Sequence, residues 1–195
     1  MWPWGHLAVG YLCYVAAIKL RSEGEQTLFT LVAVAVGTQF PDLIDKPLAW
    51  STTILPSGRS FAHSLITATL IIGIVYWIGQ RLDSEEGALA FGIGYLSHSI
   101  FDLGPRVVFG FLTGDLSQLK WTTYLLWPLL PSPPYPHDSS FHEHFIALTL
   151  DPYMITQLVL LGVAVAVWII TGMPGVTEIQ QRVKNHLHRE RETDH

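Results

Sequence analysis

The chain has 195 residues, 49% of them hydrophobic and 14% charged, with a mean hydropathy of +0.33 and a formal net charge of -5. A soluble globular domain carries about 25% charged residues, so the composition points to a membrane protein or an unusually apolar core; the uncharged runs 65–78 and 153–172 decide for the membrane, and the acidic balance leaves no footprint for a nucleic-acid partner. The sole cysteine, Cys13, excludes an intramolecular disulfide and any cysteine-based zinc site.

In chain order, the first predicted helix spans residues 4–20 and carries His6 within WPWGHLAVG. No basic segment precedes it and nothing resembles a cleavage site, so it reads as a retained helix. The second, 27–44, ends in QFPDLIDKP, where Pro41 is expected to help stop it beside Asp42 and Asp45. The third, 61–80, opens at GRSFAHS, with Arg59, His63 and a candidate cap in Ser60. The fourth, 87–104, closes on SHSIFD, which sets His98 and Asp102 one turn apart on one face. A connection over 105–152 follows, whose WPLLPSPPYP excludes a continuous helix and whose HDSSFHEH is rich in histidine. The fifth helix, 153–172, has no charged residue and is about the ~20 residues a bilayer crossing needs. The predicted fold is therefore all-α: a polytopic transmembrane bundle of about five helices with a Pro/His-rich loop before the last. Residues 1–175 form the membrane-embedded domain and 176–195 a polar tail expected to be a short amphipathic helix.

The Lys and Arg positions set an orientation. With the N-terminus outside and five alternating helices, Lys19, Arg21, Arg81, Arg182, Lys184, Arg189 and Arg191 lie inside, against Lys46, Arg59, Arg106 and Lys120 outside. The C-terminus is then cytoplasmic. The same topology brings His6, Asp42, Asp45, Arg59, His63, His98 and Asp102 to the outer face, although no histidine or aspartate entered the count. Imidazole and carboxylate bind zinc, manganese and iron, and ionisable groups at membrane depth are costly without a partner.

Each element also has a plainer reading. His98 and Asp102 could be a helix-end pair, Asp42 and Asp45 solvated turn residues, His63 and His6 interfacial histidines beside the Trp belt. His137, His142 and His144 in the loop read as solvated; His186 and His188 in the tail face the other side. The basic tail reads as a cytoplasmic anchor.

Taken together, His6 in HLAVG, Asp42 and Asp45 in PDLID, Arg59 and His63 in GRSFAHS, and His98 and Asp102 in SHSIFD resemble the motifs of the YdjM-like family. Its members are LexA-regulated membrane proteins described as metal-dependent hydrolases. The order and approximate spacing match across residues 1–104. Gly58 and Ala62 stand where the family element has histidine and threonine, and PDLID is one residue longer than its PDxD. The pattern is also distantly similar to zinc-dependent phospholipases C. The resemblance implies a membrane-bound hydrolase in which His6, Asp42, His63, His98 and Asp102 hold one or two divalent ions, foremost zinc. Asp45 would be a general base or further ligand, and Arg59 would stabilise anionic charge. Its partners would be membrane lipids, with a lipid, ester or phosphodiester substrate. Two rivals remain: a cation or proton transporter using the same groups as a relay, and a scaffold whose polar clusters tie helix ends together.

Overall fold

In a computed structural model, which describes residues 1–195 apart from 53, 134–139, 147, 194 and 195, local signals set where the helices begin. Helix α1 (Pro3–Arg21) starts on a proline, whose missing N–H is no loss in a first turn. Helix α2 (Leu28–Trp50) starts from a capping box between Thr27 and Thr30. Helix α3 (Leu65–Arg81) is capped by Ser64, whose Oγ accepts from the Ile66 N–H at 3.2 Å. Helices α4 (Glu85–Phe101) and α5 (Gly104–Thr113) are followed by a 3-10 helix (Leu116–Leu126) and the short α6 (Phe141–Ile146). Asp151 accepts from the Met154 N–H at 2.7 Å to cap α7 (Pro152–Ile170), and α8 (Val176–Thr193) completes the chain. No strand occurs among the described residues.

Helix α4 is central, packed on α1, α2 and α3, while α7 packs on α1. Small residues allow this. A Cβ on Gly37 would come within 2.2 Å of the Phe91 carbonyl oxygen, and one on Gly94 within 2.5 Å of that of Val34. The backbones of α2 and α4 therefore touch, as small residues permit between helices in lipid. Phe91 and Tyr95 fill the adjoining space with Ala68, flanked by Phe40.

The outer surface is apolar over long stretches: Leu70, Ile74 and Trp77 on α3, and Ile155, Val159 and Ile170 on α7, are exposed. Water tolerates such side chains singly, whereas hydrocarbon accommodates a continuous belt. Among the described residues, α2 and α7 are long and apolar enough to cross a bilayer; α3 is apolar but has 17 residues.

Three details depart from the sequence-based expectations. Helix α2 runs through both Pro41 and Pro47 to Trp50 instead of stopping at 44. A proline inside a helix costs about 3 kcal/mol in isolation, but helices packed among neighbours in a membrane tolerate it. Helix α3 begins at Leu65, so Ser60 is not its cap and GRSFAHS belongs to the connection before it. Residues 105–126, expected as part of a loop, instead form α5 and the 3-10 helix, since the prolines crowd after Trp127.

Candidate metal centre

The first turns of α1, the last turns of α2 and α4, and the connection 51–64 meet at one end of the bundle. His6, near the start of α1, is buried, with its Nε2 3.5 Å from Asp102 Oδ1. Among the described residues, neither of its ring nitrogens has a hydrogen-bond partner. Its ring stacks on that of His98, with centroids 3.6 Å apart.

His98 and His63 are each fixed from behind. The His98 Nδ1 lies 2.5 Å from the Thr38 carbonyl oxygen, which can only accept, so Nδ1 carries the proton. The close α2–α4 approach at Gly37 and Gly94 makes that contact possible. The His63 Nδ1 lies 2.8 Å from Asp45 Oδ2, a carboxylate that again assigns the proton to Nδ1. With both tautomers assigned from these partners, the two Nε2 atoms present lone pairs to each other at 3.0 Å. Such an arrangement repels unless a proton or cation lies between. Histidines that bind metals commonly donate their other N–H to a carboxylate or carbonyl in this way.

Asp42 completes the first cluster. Its Oδ1 is 3.5 Å from His63 Nε2 and 3.7 Å from His98 Nε2, and its Oδ2 accepts from Lys46 Nζ at 2.6 Å. A tetrahedral ion with ligands at about 2.0–2.1 Å spaces its ligand atoms about 3.3 Å apart, close to this triangle. Two groups could thus hold a metal, His6–His98–Asp102 and Asp42–His63–His98, with His98 in both.

Asp45 sits behind these candidate ligands rather than among them. Fully buried, it accepts from the backbone N–H groups of Ser60 at 2.9 Å, Ala62 at 2.7 Å and His63 at 3.2 Å, besides the His63 ring. It folds the connection around itself and aims His63 inward. Tyr95 braces the same segment by donating to the Ala62 carbonyl at 2.7 Å. Asp42 and Asp45 have separate partners, Lys46 for the first and amides with imidazole for the second.

Arg59 donates through Nε and Nη2 to the two oxygens of Asp102, which also meets the Met1 amine. Burial opposes the Asp102 charge, but Arg59, the amine and His6 outweigh it and hold the carboxyl well below its ordinary range. For His63, burial opposes the imidazolium, yet the hydrogen bonds and charges of Asp42 and Asp45 raise its pKa. The field that favours a proton at His63 Nε2 favours a metal ion there too. Asp102 does not orient His98; that falls to the Thr38 carbonyl, an acceptor with no side-chain signature in the sequence.

Of the remaining histidines, His142 is exposed on α6, His137 and the side chain of His144 lie outside the described residues, and α8 carries His186 and His188. Leu28 at the start of α2 meets Glu178 of α8 at the opposite end of the bundle.

No curated protein and no solved structure matches the chain. The model of the YdjM inner membrane protein family matches residues 1–177, a span from α1 through α7 that takes in both histidine–aspartate groups and the apolar helices. On that match, and with two helices fit to cross a bilayer, the chain belongs to the YdjM inner membrane protein family and is a membrane protein.

Proposed function

We propose that this chain is a membrane-embedded metal-dependent hydrolase acting on a lipid, ester or phosphodiester at the membrane surface. Zinc is the ion the donor set suits best, being nitrogen-rich with carboxylate and compact. One observation carries the reading: the His63 and His98 Nε2 lone pairs converge at 3.0 Å with both Nδ1 protons committed elsewhere. The ring nitrogens of buried His6, without a hydrogen-bond partner among the described residues, add to it. His63, His98 and Asp42 would hold the ion, with His6 and Asp102 adjoining. When bound, it supplies Lewis acidity, which brings the pKa of water toward ~7 and polarises an ester. Lys46 tempers the charge on Asp42, Asp45 keeps the His63 ring aimed, and Arg59 stands beside Asp102 where anionic charge would develop. The reading includes five crossings by α1 to α4 and α7, with the site outside and the tail in the cytoplasm.

The same His63–His98 contact suits a second reading, a proton shared between imidazoles in a transport relay. Elemental analysis of detergent-purified protein, offered zinc and then freed of excess, separates them. Stoichiometric metal that His63→Ala and Asp102→Ala both lose, together with zinc-dependent cleavage of ester or phosphodiester probes, is the expected result. A metal-free wild type moves the assignment to the relay. A merely tying role would show as lower melting temperatures in the variants without any metal to lose.

A further inference from the structure

A pocket of about 560 Å³ opens beside the metal centre, between α5, the 3-10 helix and the start of α7. Arg59 and Asp102 form its inner wall, and Arg106, Gln118, Trp121 and Tyr153 line the rest. Its carboxylates are engaged: Asp102 by Arg59 and the Met1 amine, and Asp151 by the Met154 N–H it caps. Arg106 differs. It is exposed, faces the pocket, and makes no ion pair among the described residues. Beside it, Phe109, Leu112 and Leu116 are exposed to 67%, 79% and 68%, an apolar rim suited to a bilayer surface.

The Arg106 guanidinium offers a fork that matches a tetrahedral oxyanion, while Arg59, turned through Nε and Nη2 to Asp102, adds positive charge to the inner wall. The aromatic rings of Trp121 and Tyr153 suit the glycerol or acyl-proximal part of an amphiphile, with one face apolar and one edge polar. We infer that this pocket binds the phosphoryl group of the substrate, with Arg106 as a specificity-determining residue at its mouth. The inference rests on the hydrolase reading for what the pocket serves, but its binding chemistry is separable from the metal. Arg106 holds the anion at the mouth of the pocket, and Arg59 with the Met1 amine offsets the charge of Asp102 at its inner wall.

The test is a calorimetric titration of zinc-loaded, detergent-purified protein with inorganic phosphate. A second titration uses nanodiscs of phosphatidylcholine with or without phosphatidic acid. Arg106→Gln is expected to weaken phosphate binding about tenfold, the 1.4 kcal/mol of one charge-assisted contact, with metal content unchanged. Arg106→Lys should restore part of it. If the lipid is the source, phosphatidic acid shows the same loss and free phosphate binds only weakly in both proteins; if a soluble ester is the source, the order reverses. Equal binding by wild type and Arg106→Gln in every arm overturns the inference, as does no binding by either. Stoichiometric zinc with no phosphate affinity would sink the pocket and leave the metal centre standing. Phosphate binding without metal would do the opposite.

Discussion

Asp45 shows how one residue's role depends on what its oxygens touch. It accepts three backbone N–H groups and the His63 ring, so it is a positioning residue for His63 in the site as built. Asp45→Asn keeps the shape but removes the charge and turns one oxygen into a donor. It is expected to cost about 3 kcal/mol of stability, as a broken buried charge network does. It should also weaken zinc binding by roughly tenfold to a hundredfold, as loss of a ligand's hydrogen-bond partner does. Thermal melting and competitive zinc titration read the two effects, and an unchanged zinc affinity would deny Asp45 its aiming role. The His63 pKa is raised, so below it a proton occupies Nε2 and must be displaced by the metal. Zinc affinity should therefore rise with pH, roughly tenfold per unit for each proton displaced, until it levels off above the His63 pKa. A flat zinc affinity between pH 6 and 8 would contradict the assigned ligand.

At the scale of elements, the site depends on how closely α2 and α4 pack. The His98 ring reaches the Thr38 carbonyl because Gly37 and Gly94 bring the two backbones together. Gly94→Val would drive a side chain into the Val34 carbonyl and the Thr38 amide, and should cost about 3 kcal/mol along with most of the bound metal. Gly73→Ala is the control. A Cβ there meets nothing within 4 Å, so the melting temperature should hold or rise and the metal should stay. If both variants kept their metal, helix approach would not set the ligand geometry. Helices α1 to α4 and α7, of which α2 and α7 are long and apolar enough to cross a bilayer, were legible from hydropathy and length. Their ends were less so, because Pro41 and Pro47 look like stops in isolation and only the packing of α2 on α4 makes an uninterrupted helix affordable.

For the whole molecule, the proposed orientation is testable through the single native cysteine. In a Cys13→Ser background, Leu129→Cys lies exposed after the 3-10 helix, and Glu23→Cys lies in the connection between α1 and α2. A membrane-impermeant maleimide applied to intact spheroplasts is expected to label the first and spare the second. The reverse pattern would put the site in the cytoplasm. The sequence by itself determined the membrane character, helices α1 to α4 and α7, and which four polar clusters stand at helix ends, because these follow from composition and local hydropathy. Only the tertiary structure decided which nitrogen of each histidine faces the others, that Asp45 serves His63 from behind, and that Arg106 shares a pocket with Arg59. Those facts join residues far apart in the chain, such as Thr38 with His98 and Arg59 with Asp102. Side-chain direction there is set by distant backbone contacts, which no local pattern encodes.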